Sequence, residues 1–525
     1  MDLTLNDLLI PIERDSPTEY LATAAQMLEI DAGEISLIKI LSKSLDARNP
    51  EQFFYKLTLV VRAPSNFANR YKLPPYQEPG ETPRTPAIIK GRPIVVGFGP
   101  AGMFAALELV EYGLKPLIFE RGKRIEERTL DVQSFLAERE INPESNIQFG
   151  EGGAGSFSDG KLFSRRHLNS RHTARVLETL IRFGAPAEIA YIAKPHLGTD
   201  VLCIIVRNIR NYILERGGEI HYGAKLTDLL LSEGGAAGIV INGEREYLSS
   251  CIFLALGHSA RETMAMLHAK GVAMARKPIA VGVRIEHPAA TINRLRYGDK
   301  YHSYPGLGAA TYSLNHTDKN ISRGVYTFCM CPGGEVINAS SAPGLLVLNG
   351  MSYSQRASAF SNAGLVVTCK TEDYPGNGPL AGLEFQKEIE GKAFCAGGGQ
   401  WGVPAQNLLD FLGEKNSPEL NENSYAMGAV FADLREIFPA FVTKELLVAF
   451  HKWRSEVPKF VSHEAILLGA ETRTSSPVQL LRDARYESLT VKNLYPIGEG
   501  AGYTGGITSS AADAIRAVEI QASLR

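Results

Sequence analysis

Short apolar runs bounded by polar turns predict one helix and two strands in the first 63 residues. The segment Ser16-Pro17-Thr18-Glu19 has the form of a capping box with proline at the first helical position, and an apolar helical period follows it. Two runs rich in Ile, Leu and Val, at residues 35–41 and 54–61, predict strands. We therefore expect a small α+β domain over residues 1–63. Six prolines between residues 64 and 90 predict a linker, because proline has no N–H to donate to a sheet.

From residue 91 onward the pattern alternates between short strands and helices. Strands are expected near 94–96, 116–119, 220–222, 237–241, 251–256 and 494–497, and helices directly after the first strand and over 201–216 and 509–517. This alternation is typical of the α/β class with a parallel sheet. We expect a Rossmann-like FAD/NAD(P)-binding domain built from two separated segments, 91–280 and 486–525. An inserted α+β substrate or cap domain is expected over residues 281–485.

The strongest signal for a nucleotide site is the glycine-rich turn that follows the strand at 94–96. Its GxGxxG spacing, over residues 97–102, allows a tight turn, close approach of a pyrophosphate and close packing of the next helix on the strand. Glu120 ends the following strand at the distance expected for an acid that binds both ribose hydroxyls. The residues predicted to bind the dinucleotide here are Gly97, Gly99, Pro100, Ala101, Gly102, Glu120 and Arg121.

The far end of the chain favours FAD over NAD. Residues 494–502 read as a strand running into a glycine-rich turn, which resembles the C-terminal flavin motif of the glutathione-reductase-like FAD superfamily. In that motif a Gly-Asp pair holds the ribityl chain, whereas here the acid is glutamate and is longer by one methylene. A strand that ends in Ala-Leu-Gly resembles the superfamily's Ala-Thr-Gly element. The flavin-binding residues expected from these motifs are Gly257, Gly498, Glu499, Gly505, Gly506 and Ile507.

Longer blocks extend the resemblance over most of the chain. They are residues 43–48, 148–161, 331–334, 349–352, 473–477 and 498–506. On these blocks the chain resembles a family of bacterial and plastid FAD-dependent dehydrogenases, which are NAD(P)/FAD-dependent oxidoreductases. The resemblance implies the fold and the cofactor, and it carries no settled substrate.

A glycine-rich stretch at residues 150–160 is too long and too polar for a simple turn. We interpret it as a loop that wraps the flavin or the pyrophosphate, with backbone N–H groups and serine hydroxyls as donors. An ordered surface loop is the alternative. Lys161 follows directly and is either a cation near phosphate or flavin or a solvated lysine. The loop residues predicted to contact the cofactor are Gly152, Gly153, Gly155 and Ser156.

Two further residues are candidates for the chemistry itself. Cys331 precedes Pro-Gly-Gly and is a candidate thiol beside the flavin, although cysteine is often only a small buried residue. Arg473 is a candidate for binding a substrate carboxylate, because a guanidinium matches that anion, and a structural pair with Glu471 or Glu464 is the alternative. Arg284 alternates on a strand with Glu286 and is either part of a cross-strand ion pair or a substrate contact. His258 and His287 are general bases by residue type, with a structural role as the alternative for each.

The composition of the chain argues against several classes of protein. Lys and Arg number 55 against 57 Asp and Glu, and no basic run is interleaved with aromatic residues, so a nucleic-acid partner is not expected. No apolar run is long enough for a membrane span and the first residues lack a secretory pattern, which favours the cytoplasm. The six cysteines lack zinc-site spacing, so no metal is expected.

These features predict an FAD-dependent oxidoreductase, a dehydrogenase or reductase that acts on a small organic substrate with noncovalently held FAD. No second GxGxxG with a following acid occurs, so a separate NAD(P)H domain is not expected. NAD(P)H stays open as a transient electron donor. A flavin monooxygenase and an FAD-bound scaffold or sensor without catalysis are the alternatives.

Overall fold

The computed structural model describes residues 1–78, 80, 84–87, 89–162, 171–319 and 321–523. The strands are β1 (Asp2–Pro11), β2 (Ser36–Asp46), β3 (Phe54–Arg62), β4 (Ile94–Val96), β5 (Leu117–Phe119), β6 (Glu219–His221), β7 (Leu226–Ser232), β8 (Gly235–Ile241), β9 (Arg245–Leu248), β10 (Ile252–Leu254), β11 (Met274–Arg276), β12 (Ile279–Pro288), β13 (Asn315–Asp318), β14 (Arg323–Cys331), β15 (Glu335–Asn338), β16 (Leu348–Met351), β17 (Phe360–Cys369), β18 (Val403–Asn407), β19 (Ala429–Phe431), β20 (Ile466–Glu471), β21 (Val478–Leu480) and β22 (Leu494–Pro496). The helices are α1 (Pro17–Leu28), α2 (Pro100–Glu111), α3 (Ile125–Glu138), α4 (Arg171–Arg182), α5 (Gly198–Glu215), α6 (Arg261–Ala269), α7 (Ala289–Tyr301), α8 (Ala381–Ala396), α9 (Leu408–Phe411), α10 (Ala440–Glu456) and α11 (Ile507–Ser523).

The N-terminal segment forms a three-stranded antiparallel sheet in the order β1-β3-β2, with α1 packed against it. The capping prediction is confirmed, since the Ser16 hydroxyl accepts a hydrogen bond from the Glu19 N–H at 3.3 Å. The expectation of only two strands was wrong. In β1, a register shift between Leu5 and Leu8 interrupts the alternation of buried leucines. The sequence of this strand therefore lacks the regular period of two residues by which a strand is predicted.

A five-stranded sheet lies at the centre of the segment that follows. Its order is β6-β5-β4-β10-β22, and every neighbouring pair is parallel. In chain order this is 3-2-1-4-5, and the last strand comes from the end of the chain. Helix α2 follows β4 and packs against α11 and α5. Strands β7, β8 and β9, which come between β6 and β10 in the sequence, form a separate antiparallel meander.

A second large sheet has the order β13-β14-β17-β12-β20-β18-β19 and is antiparallel except for the β18–β19 pair. Helix α10 contacts β14 and β17, and α8 contacts β18 and β20. In β12 the side chains Val281, Val283 and Ile285 belong to the apolar core. The alternating positions carry the buried charges Arg284 and Glu286, so one face of this strand is polar although it is shielded from solvent.

The described ranges contain no helix that combines the length and the hydrophobicity required for crossing a bilayer. The protein is a mixed α/β structure with several sheets, and both the five-stranded and the seven-stranded sheet reach the site described next.

Candidate functional site

A cavity of about 390 Å³ lies at the carboxyl ends of the parallel strands. Residues that directly follow β4, β5, β10 and β22 contribute to its wall, and this edge of a parallel sheet is where ligands of doubly wound folds bind. Part of the loop 148–161 forms another side. The seven-stranded sheet and its neighbour contribute a polar region at Phe328, Cys329, Asn349 and Glu471. The cavity therefore runs between the two large sheets.

The predicted glycine turn has the close contacts that its sequence requires. A Cβ on Gly97 would lie 2.3 Å from the carbonyl oxygen of Ala255, and one on Gly102 would lie 1.8 Å from the carbonyl oxygen of Gly97. Gly102 itself does not line the cavity and acts by letting α2 pack closely. Helix α2 begins at Pro100 without a side-chain cap, so its first amide groups are available to an anion in the cavity.

Glu120 joins the two glycine-rich segments. Its carboxylate accepts hydrogen bonds from the backbone N–H groups of Phe98, Gly122 and Gly150, at 2.8, 2.9 and 2.9 Å. The same side chain lines the cavity, and its contact with a ribose stays a prediction. Arg121 lies beside it at the cavity wall with its guanidinium 3.8 Å from the centroid of the Phe149 ring.

A buried arginine that the sequence reading missed organises the loop from behind. Arg128 of α3 is fully shielded from solvent and donates to the carbonyl oxygens of residues 146, 147, 150, 151 and 153, at distances from 2.7 to 3.3 Å. Burial lowers the pKa of Arg128 to about 10, so the side chain is still charged at neutral pH. With its carbonyl groups held by Arg128, the loop has a fixed shape where it meets the turn at Gly99.

The predicted loop residues divide into two groups. Gly153 and Gly155 line the cavity together with Ser158, whose hydroxyl donates to the Gly155 carbonyl at 2.8 Å. Gly152 and Ser156 lie behind the surface of the cavity. The Gly152 N–H donates to the carbonyl of Phe98 at 2.8 Å, and the buried Ser156 hydroxyl has no partner among the described residues.

The C-terminal motif supplies the opposite wall of the cavity. Glu499, Gly505, Gly506 and Ile507 all line it, as does Gly257 from the turn after β10. Burial raises the pKa of Glu499 to about 7, although a hydrogen bond from the Gly506 backbone opposes the shift. Gly498 lies behind the wall, where its N–H donates to Asp513 at 2.8 Å.

Arg473 reaches the cavity, but protein partners already hold its guanidinium. It pairs with both carboxylate oxygens of Glu390 at 3.0 Å and donates to the hydroxyls of Ser259 and Ser341 at 2.9 and 2.8 Å. The expected structural partners, Glu471 and Glu464, were wrong, because Glu390 comes from α8, far away in the sequence. Burial alone would raise the pKa of Glu390, yet Arg473 and Arg261 hold it at about 2.

The thiol at the cavity is that of Cys329, and not that of Cys331. Cys331, the cysteine that the sequence singled out, is fully buried and does not line the cavity. A register shift between Phe328 and Cys331 and a φ of 42° at Cys329 turn the earlier cysteine toward the cavity. Lys161 also lines the cavity, with its ammonium 2.9 Å from Asp159 and 4.0 Å from the Cys331 sulfur.

Arg284 pairs with Glu471 at 2.7 Å, which corrects the expected pair with Glu286. Glu286 instead accepts hydrogen bonds from the backbone and the hydroxyl of Ser424. Of the two histidines, His258 lines the cavity and burial lowers its pKa to about 3. His287 lies outside the cavity lining, where one ring nitrogen is 2.8 Å from the Phe460 carbonyl and burial lowers the pKa to about 4.

Comparison with known proteins finds two matching family models. Residues 278–474 match the family model described as "FAD-dependent protein, C-terminal domain-like", and residues 2–62 match a domain of unknown function. Residues 278–474 are therefore similar to a domain of FAD-dependent proteins.

A protein of Clostridium beijerinckii titled "Uncharacterized protein" is 47% identical over 433 residues, which are 82% of this chain and 80% of that protein. The chain belongs to the same family as this relative.

Solved flavoenzyme structures resemble the chain only in part. Native FqzB has a TM-score of 0.37 at 14% identity, covering 85% of this chain and 77% of that one. CtdE in complex with FAD has a TM-score of 0.33 at 10% identity, covering 83% of this chain and 84% of that one. The flavin-dependent brominase Bmp2 has a TM-score of 0.36 at 13% identity, covering 82% of this chain and 78% of that one.

Proposed function

We propose that this protein is an oxidoreductase that binds FAD noncovalently in the cavity and transfers hydride between the flavin and a small organic substrate. One observation carries the proposal. The glycine turn after β4, the acid after β5 and the glycine-rich turn after β22 all meet at one cavity, although the last of them comes hundreds of residues after the other two. A set of this kind suits a long ligand with a pyrophosphate in its middle.

The residues present fit an FAD in several ways. The uncapped first turn of α2 is suited to the pyrophosphate, and Glu120 and Arg121 to the adenosine end. The buried Nη1 of Arg121 has no partner among the described residues, so it is available to a ligand. Glu499 and the start of α11 are suited to the ribityl chain and the flavin ring. We assign the FAD-binding domain to residues 91–280 and 486–525, with a Rossmann-like parallel sheet.

The substrate is proposed to enter beside the seven-stranded sheet, within residues 281–485. The polar residues that line the cavity there are Asn349, Glu471 and Cys329. Lys161 also lines the cavity, and a neighbouring protein carboxylate partly neutralises its charge. Arg473 is proposed to hold this wall in shape, because its donors are already bound to Glu390 and two serines. Bound FAD would supply the redox chemistry, and the chain would supply orientation and electrostatics.

The test begins with the visible absorption spectrum of the purified protein and identification of any cofactor released by heat. The protein should carry FAD or take it up when the apoprotein is incubated with it. Anaerobic mixing with a library of small organic substrates, and separately with NADH and NADPH, should then bleach the flavin for a subset of compounds. A protein that stays colourless after incubation with FAD would contradict the proposal.

Gly99→Val is the loss-of-binding variant, because a Cβ at Gly99 would already be in contact with the Gly153 Cα at 3.4 Å and valine adds two further methyl groups at this point. Turnover that depends on NAD(P)H and consumes oxygen only when an organic substrate is present would instead favour a monooxygenase. Tight FAD binding without bleaching by any donor would favour a non-catalytic FAD-bound scaffold.

A further inference from the structure

Two cysteines lie together where β14 ends against the cavity. Cys329 and Cys331 are two residues apart, and in a regular strand such residues share a face but keep their side chains apart. Here the register shift in the β14–β17 ladder and the left-handed φ of Cys329 fold the strand at this point. The Cys331 thiol donates to the Cys329 carbonyl at 3.3 Å.

Two cations border this thiol pair. The Lys161 ammonium and the Arg284 guanidinium each lie 4.0 Å from the Cys331 sulfur. The hydrogen bond from Cys331, with help from the charges of Lys161 and Arg284, lowers the pKa of the Cys329 thiol. The same bond and burial raise the pKa of Cys331. The two cysteines therefore differ in protonation: Cys329, which lines the cavity, carries the thiolate, and Cys331 keeps its proton.

The thiol pair is close to the C-terminal flavin motif as well. Thr508, in the first turn of α11, donates to the Leu162 carbonyl at 2.8 Å, so the helix start is tied to the segment that carries Lys161. Cys329, Gly506 and Ile507 line the same cavity. The remaining cysteines of the chain, at 203, 251, 369 and 395, do not line it.

We propose that Cys329 and Cys331 are a redox-active dithiol that exchanges two electrons with the FAD held in this cavity, an inference that rests on the proposed function. In the oxidative direction the Cys331 S–H bond breaks and one S–S bond forms between Cys331 and the Cys329 thiolate. Two electrons and the proton from Cys331 pass to the oxidised flavin. In the reverse direction the disulfide accepts two electrons from the reduced flavin and one proton, which restores the Cys329 thiolate and the Cys331 thiol. The oxidant and the reductant are thus the flavin and the cysteine pair themselves.

The experiment is an anaerobic dithionite titration of the FAD-loaded full-length protein after oxidation with ferricyanide and removal of the oxidant. The wild type should consume about two equivalents of dithionite per FAD before the flavin is fully reduced, because the disulfide and the flavin each take two electrons. Cys329→Ser and Cys331→Ser should each consume about one equivalent, a twofold decrease. Cys395→Ser, in the exposed cysteine of α8, should behave as the wild type.

A second measurement needs no variant. Alkylation under denaturing conditions, followed by mass spectrometry, should find all six cysteines labelled in the reduced protein and two of them, Cys329 and Cys331, protected after oxidation. A flavin-loaded wild type that consumes about one equivalent and keeps both thiols reactive would overturn the dithiol proposal and leave the FAD proposal standing. A protein that does not bind FAD would overturn both.

Discussion

Replacing Arg128 with methionine should unfold the glycine-rich loop and weaken FAD binding. The guanidinium is fully buried and holds the carbonyl oxygens of five loop residues between 146 and 153. Methionine fills much of the aliphatic volume but donates nothing, so these carbonyls lose their partner. The acids Glu120 and Glu151 lose a nearby cation at the same time.

The magnitude follows from the number and type of the bonds. A hydrogen bond from a charged donor contributes about 1.5–3 kcal/mol, but the five are not additive because water and loop relaxation replace part of the loss. We expect the free energy of unfolding of the apoprotein to fall by about 3–5 kcal/mol, as for other buried charges whose partners are removed. If FAD binding to the variant must also supply about 3 kcal/mol of free energy to order the loop, the Kd of FAD should rise by about 100-fold.

Urea unfolding followed by circular dichroism measures the first effect, and quenching of flavin fluorescence measures the second. Arg124→Met is the matched control, since Arg124 immediately precedes the same helix but is largely exposed and should change stability by less than about 0.5 kcal/mol. The assignment of Arg128 as the organiser of the loop would be refuted if its methionine variant lost less than about 1 kcal/mol and bound FAD as tightly as the wild type.

Three further predictions concern other parts of the site. Gly102→Ala should abolish FAD retention, because the added Cβ would lie 1.8 Å from a backbone carbonyl oxygen. In the control Gly391→Ala, the added Cβ would meet only a side-chain carbon at 3.8 Å, so thermal unfolding should show unchanged or slightly raised stability. Glu499 has a pKa raised to about 7 in the fold from 4.5, so its contribution to apoprotein stability is complete below pH 4.5 and is lost as the pH rises through 7. Relative to Glu499→Gln, the unfolding free energy of the wild type should therefore fall by about 3 kcal/mol over that window, and a flat difference would contradict the shift. Glu390→Gln should cost about 3–5 kcal/mol in urea unfolding because it leaves Arg473 without its buried carboxylate, and a loss below about 1 kcal/mol would argue against this pairing.

Features that depend on local geometry could be predicted from the order of the residues alone. The helix start at Ser16 and the glycines at 97 and 102 could be predicted because capping and close backbone packing permit few residue types at fixed spacings. The order of the glycine turn, its acid and the C-terminal motif predicted a nucleotide site, and Glu499 and Ile507 do line the cavity with that turn. The substrate was beyond prediction, because no local spacing encodes it.

Which charged and nucleophilic groups meet could not be predicted without the folded chain. Arg473 is bound to Glu390, 83 residues earlier, and a contact at that separation leaves no periodic signal in the chain. Cys329 faces the cavity, and not Cys331, because a bulge breaks the alternation on which a strand reading relies. Arg128 resembles any surface arginine of an amphipathic helix until the loop folds over it. These groups are positioned by long-range packing, and packing is set by the whole chain rather than by neighbours in sequence.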